Sequence, residues 1–447
     1  MLISSLIQTA VPIAGALGVG AWITPGPWHG TPAPAEEFPV AQIVAQAPAI
    51  LRPAVQVLAD PALTEQMLTT LKLGSPLVGF PGVQGWDYAR HGLTVDLWML
   101  GGQCFEDWNN DNIRSQMATY LGVRQVTVSS PAASWVRLQV RVHDTLAEPA
   151  TLPDLVHNEV DLEAVPVGIR EDGDTWRVQV LYRHILIAGA MGSGKGSVLW
   201  SIIAGLGPAI KAGLVDVLMG DPKGGMEFGR GEHRLWVDFQ WTAEGIIGML
   251  KTAEKDMQDR AARLREARVR KFVPSVEDPL ILIVIDEYAA LSAFATREEM
   301  QEAMRLLGLI LTQGRAVGFS VMVALQDPSK ETMPNRQLFP VRIGLKLDEP
   351  TQNSMIHGQG AKDRGARCHE IPDTTPGVAY VGEDGTREFV RARAYYVSDD
   401  DADAIVDAYS PADEITGPTQ DYSDFDPDDL GEEIPGDGGF ADPAVAA

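Results

Sequence analysis

The sequence predicts an α/β fold with a mostly parallel, doubly wound sheet, and three observations carry that expectation. In the second half of the chain short apolar runs alternate with stretches of helical periodicity, the pattern of strand, crossover helix and next strand. Between one such run and the helix after it lies a glycine-rich loop, GAMGSGKGS, at 189–197. A later run, PLILIVIDEYAAL, ends its apolar part in two adjacent carboxylates, Asp286 and Glu287. Loop and carboxylates both fall at the C-terminal ends of strands, the edge of an open parallel sheet where ligands bind.

The loop defines a candidate phosphate site. Ile185, Leu186 and Ile187 make a buried strand that stops at Gly189, and Val198, Leu199, Ile202, Ile203 and Leu206 recur on one helix face. Gly189, Gly192 and Gly194 allow a turn in which successive N–H groups face phosphate oxygens, with the helix dipole behind them. The expected nucleotide-binding segment is therefore Gly189, Ala190, Met191, Gly192, Ser193, Gly194, Lys195, Gly196 and Ser197, with Lys195 reaching the β and γ phosphates. The pattern GxxxxGK[ST] has a hydroxyl directly after the lysine to ligate magnesium, yet here Gly196 holds that position and the hydroxyl comes at Ser197. One residue along a helix turns a side chain by roughly 100°, so Ser197 reaches the metal only if the loop is re-registered. ATP and Mg2+ are the expected cofactors, with Asp286 and Ser197 as metal ligands and Glu287 polarising the attacking water. Taken singly, the loop could be a chance glycine turn and the strand end a plain terminus. Together they describe one site.

The strand candidates are Ile185 to Ala188, Leu214 to Met219, Leu280 to Ile285, Ser320 to Leu325 and Val341 to Leu347. A helix is expected over Ala243 to Phe272, buried through Ile246, Leu250, Ala253, Met257, Ala261 and Leu264. Its basic end, Arg260 to Lys271, reads as a solvated face complementing the helix dipole rather than as a DNA contact.

At 447 residues the chain suits two or three domains. Its 61 Asp and Glu against 36 Lys and Arg exclude a protein that coats nucleic acid with its whole surface. Sixteen of those carboxylates lie between Asp399 and Asp442, which leaves the body much closer to neutral. Cys104 and Cys368 have no ligand spacing and read as buried thiols in a reducing compartment, with His369 structural or on the surface.

In chain order, residues 1–24 hold an uncharged stretch, Leu2 to Ile23, long enough to cross a bilayer. A membrane segment and a buried apolar N-terminus are both open readings. Residues 25–76 form a proline-rich linker followed by helices, and 77–150 a small α+β domain with strands at Leu93 to Met99, around Val126 and at Val136 to Val142, and a helix at Trp108 to Leu121. Residues 151–397 form the nucleotide-binding domain, and 398–447 an acidic tail that lacks the apolar content to order itself beyond about Ser410.

Here the chain resembles the FtsK/SpoIIIE family of hexameric double-stranded DNA translocases, above all its short actinobacterial conjugation and mobile-element members. HILIAGAMGSGKGS looks like the family's first nucleotide motif, GDPKGGMEFG (220–229) like its "IDPK" strand end and VIDEYAAL like its "VDEFADL". QGRAVGFSVMVALQDPS (313–329) is similar to its "ARAAGIHLVLATQRPS", and LGVRQVTVS to part of the small domain before the motor. The match spans roughly Gly79 to Val397. It implies a RecA-like P-loop ATPase, a homo-hexameric ring on double-stranded DNA, in the cytoplasm and in contact with the cell membrane if residues 2–23 anchor it. It also implies that Arg315 is an arginine finger acting on a neighbouring subunit and Gln326 a polar sensor of the γ phosphate. Large family members carry several membrane spans and a terminal winged-helix domain, whereas this chain has one apolar stretch and an acidic tail, so sequence-directed polarity is not expected. The alternatives are a protein-secretion or coupling ATPase, which usually has several motor domains in tandem, and a ring that binds nucleotide only as a structural ligand.

Overall fold

The computed structural model describes residues 39–156, 159–362, 364–383 and 389–411. The apolar stretch 2–23, most of the proline-rich linker and residues 412–447 lie outside the described residues.

Three helices come first: α1 (Val40–Gln46), α2 (Arg52–Ala59) and α3 (Pro61–Thr70). Asp60 caps α3 by accepting from the N–H groups of Ala62 and Leu63, with Pro61 in the first helical position. They are followed by β1 (Gly82–Ala89), β2 (Gly92–Trp98), α4 (Phe105–Trp108), α5 (Asp111–Leu121), β3 (Gln125–Ser129) and β4 (Trp135–Arg141). The strands form an antiparallel sheet in the order β1-β2-β4-β3. Leu93, Val95 and Leu97, with Val136, Leu138 and Val140, face one core by strict alternation. Leu51, Val55, Leu58, Met67 and Leu68 from the helices complete that core. The small domain therefore takes in the helices from Val40 onward instead of starting at residue 77, because one sheet face needs their apolar side chains to exclude water.

The motor contains β5 (Ala150–Thr151), β6 (Val165–Arg170), β7 (Thr175–Val178), β8 (Ile185–Ala188), α6 (Lys195–Lys211), β9 (Val215–Gly220), β10 (Asp238–Gln240) and α7 (Ala243–Glu266). It continues with β11 (Leu280–Ile285), α8 (Tyr288–Phe294), α9 (Arg297–Gln313), β12 (Phe319–Leu325), β13 (Val341–Gly344), α10 (Pro350–His357), β14 (Val378–Glu383), β15 (Val390–Tyr396) and α11 (Asp399–Tyr409). Sheet order is β10-β9-β11-β12-β8-β13-β14-β15-β6-β7, with β5 beside β15. Every pair from β10 to β13 is parallel. From β13 onward to β7 each pair is antiparallel. The expected parallel sheet is thus a nucleotide-binding half extended by an antiparallel half. Apolar cores lie on both faces, one around Val198, Ile202 and Leu206 of α6 and the other around Leu250, Met257 and Ile310 of α7 and α9.

Two expectations change at helix ends. α7 stops at Glu266, with Arg268 at φ 56°, and does not run on to Phe272. Of its basic residues, Arg260 is buried between Phe272 and Phe319, 5.2 and 4.9 Å from their ring centres, and donates to Pro279 O at 2.8 Å. This arginine is core, not a solvated face. Residues 399–409, assigned by composition to the tail, form α11. Ser398 and Asp401 cap it reciprocally, Ala402, Ile405, Val406 and Tyr409 are buried, and its acidic face pairs with Arg230 and Arg234. Gly207 of α6 leaves room for the Tyr409 ring, since a Cβ there would lie 2.1 Å from it. Cys104 is exposed at the start of α4, against expectation, whereas Cys368 is buried.

Charged pairs join the small domain to the motor. Asp111 binds Lys362 at 2.8 Å and Arg367 at 2.9 Å, and Arg367 also donates to Asn109 Oδ1 at 2.7 Å. Arg141 pairs with Glu171, which with Asp144 also receives Arg391, both at 2.7 Å. Burial alone would raise Asp144, but the Arg391 hydrogen bond and charge bring it down to about 2.

Candidate nucleotide site

The order β11-β12-β8 puts three strand ends side by side at the edge where the glycine loop begins. Leu325 pairs with Ala188 in register, and Leu325 O accepts from Gly189 N at 3.1 Å. The loop is tied on its other side too, by Ala190 N to Lys346 O and Gly377 N to Ser193 O, each 2.8 Å. Gly194 starts α6 at φ 96°, and a Cβ on it would lie 2.4 Å from Gly377 N. Only glycine meets both demands. No side chain caps α6, so its first N–H groups are free to receive an anion.

Lys195 is the first residue of α6, with 8% of its surface exposed. Its ammonium folds back on the loop, donating to Gly189 O at 2.7 Å and Ala190 O at 3.1 Å. Burial lowers its pKa, and Glu287 and Asp286 only partly offset that. Ser193 Oγ is buried with no hydrogen-bond partner. Uncapped helix start, folded-back lysine and unpartnered hydroxyl fit a phosphate chain, which would supply acceptors to all three.

Asp286 and Glu287 follow β11. Asp286 is 3% exposed, and burial pushes its carboxyl up although Lys223 Nζ sits 3.0 Å from Oδ2. Glu287 holds a left-handed backbone, φ 59° and ψ 66°, a conformation that a residue with a side chain keeps only when its surroundings impose it. The backbone N–H of Gln326 donates to Glu287 Oε1 at 3.2 Å, and Oε2 is buried without a hydrogen-bond partner, 3.9 Å from Lys223 Nζ. Glu287 is thus aimed into the site with one oxygen uncommitted. Among the described residues no three His, Cys, Asp or Glu side chains gather as a self-contained metal site. The residues fit a magnesium ion that shares its ligands with a nucleotide, Asp286 being the carboxylate for it.

Of the expected site residues, the fold brings together the loop 189–197, Asp286, Glu287 and Gln326. Ser197 is the third residue of α6, and the spacing of Gly189, Gly194 and Lys195 is the ordinary one. The loop is not re-registered, so Ser197 points roughly 100° away from the direction of the position after the lysine. Arg315 is exposed in the turn before β12. Since Leu325 marks the site end of that strand, Arg315 lies at the opposite sheet edge, about 20 Å or more away at the strand rise. Within one chain it cannot touch the nucleotide site.

Two residues escaped the sequence reading. Lys223 is the cation on Asp286, and Glu227 is exposed with its carboxylate over Gly196, Oε1 being 2.3 Å from where a Cβ would stand. Desolvation of that carboxyl, and then the charges of Asp286 and Asp221, push it up. Asp221 itself is fully buried and accepts from the N–H groups of Lys223, Glu227 and Phe228. The GDPKGGMEFG motif was visible as a resemblance, but nothing in its spacing said which side chain reaches the loop.

The FtsK/SpoIIIE family model matches residues 157–276. The transfer protein TraSA of Streptomyces ambofaciens is 29% identical over 336 residues, covering 68% of this chain and 76% of that protein. The DNA translocase FtsK of Streptococcus pyogenes serotype M1 is 24% identical over 365 residues, and the match spans 73% of this chain but 41% of the translocase. The solved monomer form of the pCW3 conjugation coupling protein TcpA with ATPgS superimposes with a TM-score of 0.51 at 20% identity, over 77% of this chain and 97% of that one. At that identity the likeness concerns the fold. Joined to the loop and paired carboxylates, these matches make residues 157–276 an FtsK/SpoIIIE-family domain within a nucleotide-binding P-loop ATPase fold.

Proposed function

We propose that the chain is an ATP-driven motor that moves double-stranded DNA in the transfer or segregation of a mobile element, working as a homo-hexameric ring. The observation that carries this reading is the meeting of Lys195, Asp286, Glu287 and Gln326 at one sheet edge beside a family-matched domain. The relatives bearing names of transfer proteins and DNA translocases support the substrate.

In this reading Lys195 leaves the loop carbonyls and takes up phosphate charge. Magnesium, when bound with the nucleotide, would neutralise charge on the phosphates. Asp286 would hold it, and Glu287 orients and deprotonates the attacking water through the oxygen that has no hydrogen-bond partner. Gln326 ties that carboxylate to the end of β12, and Arg315 serves the site of the adjoining subunit. The chain works in the cytoplasm, in contact with the cell membrane if residues 2–23 anchor it.

Duplex DNA should then stimulate ATP hydrolysis, with an apparent affinity that falls about tenfold or more between 50 and 200 mM salt. Unrelated duplexes of equal length should act alike, since phosphates carry no sequence. Stimulation by an unfolded protein and by no duplex would favour a secretion motor instead.

A further inference from the structure

Gly196 holds the position that gives the phosphate loop its metal-binding hydroxyl. A Cβ at Gly196 would meet Glu227 Oε1 at 2.3 Å and Cδ at 3.1 Å. A side chain at 196 and the Glu227 carboxylate therefore compete for one space, and in this chain the carboxylate has it. Its placement is built in. Asp221 Oδ2 accepts from Glu227 N and Phe228 N at 3.0 and 3.1 Å, and Gly224 and Gly225, at φ 81° and 74°, allow the turn. Phe228 stacks on Trp200, one turn along α6 from Gly196, with ring centres 5.2 Å apart. The segment carrying Glu227 is thereby fastened to the helix carrying Gly196.

We infer that Glu227 replaces the missing hydroxyl: with Asp286, it is the protein's ligand to the divalent cation that accompanies the nucleotide. This rests on the nucleotide-binding reading above. An independent feature points to a ligand in this pocket: Glu287 Oε2 is buried with no hydrogen-bond partner, 3.9 Å from the Lys223 ammonium that sits on Asp286. The chemistry suits the exchange, for magnesium is commonly held by one or two carboxylates together with phosphate oxygens. Lys195 and Lys223 stand among the carboxylates of Asp286, Glu287, Asp221 and Glu227, and Arg230, also near Glu227, is taken up by Asp399 and Asp403, which leaves the pocket short of cation. An anionic oxygen in place of a neutral hydroxyl makes divalent binding stronger and gives Gly196 its reason, since any larger residue would push the carboxylate away.

The test is Mn2+ binding followed by electron paramagnetic resonance on the full chain saturated with a non-hydrolysable ATP analogue. Fluorescent nucleotide affinity in EDTA is measured beside it. Glu227→Gln should weaken Mn2+ binding by about tenfold or more, with nucleotide affinity in EDTA unchanged and the melting temperature of the free protein kept. Gly196→Ser combined with Glu227→Ala, which vacates the space that a Cβ at 196 needs, should bind Mn2+ more tightly than Glu227→Ala alone by restoring a hydroxyl. Unchanged Mn2+ affinity in Glu227→Gln, or a double variant no better than Glu227→Ala, would overturn the inference while leaving nucleotide binding standing. A wild-type chain that binds no nucleotide in either condition would overturn both.

Discussion

Two charged regions of this molecule use the same residue types to opposite ends. At the joint between small domain and motor, Asp144, Glu171, Arg141 and Arg391 satisfy one another through hydrogen bonds of 2.6 to 2.8 Å. At the nucleotide site, Glu287 Oε2 and Ser193 Oγ are buried without hydrogen-bond partners and Lys195 spends its charge on backbone carbonyls. The titration directions follow. Pairing with arginine pulls Asp144 down to about 2, whereas burial with a single lysine leaves Asp286 raised. A closed network reads as structure, and an open one as a site prepared for a ligand that brings the missing charge.

That contrast can be broken most severely at Arg315, which belongs to neither region within one chain. If it completes the open site of a neighbour, Arg315→Ala should lower hydrolysis by about 10³-fold. Mixing Arg315→Ala with Lys195→Ala should restore part of the rate, because some interfaces pair an intact finger with an intact loop. Co-assembled rings with no recovery would remove the trans assignment. Next in size, Glu287→Gln should bind ATP normally and hydrolyse it about 10²-fold or more slowly. Wild-type turnover in that variant would show that the uncommitted oxygen is not the base.

At the joint the effect should appear in stability and not in nucleotide affinity. Arg391→Ala leaves Asp144 buried without its main cation and Glu171 with Arg141 alone, and should cost about 3 kcal/mol in denaturant unfolding. Smallest is the pH response. Asp144 has a depressed folded-state value, so its contribution of about 2 kcal/mol is complete above its unfolded value near 4 and is lost as pH falls through about 2. Asp144→Asn should flatten stability over that window. An unchanged acid unfolding profile in Asp144→Asn would mean that the joint does not carry this charge coupling.

Much of the motor was legible because its parallel strands are short apolar runs with sharp ends. Ile185 to Ala188 and Leu280 to Ile285 have the expected bounds in the structure. The antiparallel half was not legible. β6 contains Pro166 and Gly168, and β15 carries Arg391 and Arg393, whose burial depends on partners far away in sequence. α11 had a readable signal, Ser398 with Asp401 and apolar residues at 402, 405, 406 and 409, but net charge hid it. In the site, the lysine and the paired carboxylates follow from local pattern, and Gln326 only from the resemblance to the family. Lys223 and Glu227 do not, because a turn closed by Asp221 decides where they point.

A chain that hydrolyses ATP to travel along duplex DNA should displace a third strand from a short triplex placed on a linear duplex. Release should be ATP-dependent with the wild-type chain, faster at low salt, and absent with Glu287→Gln. Duplex-stimulated hydrolysis by the wild type with the triplex left in place would contradict movement along the duplex.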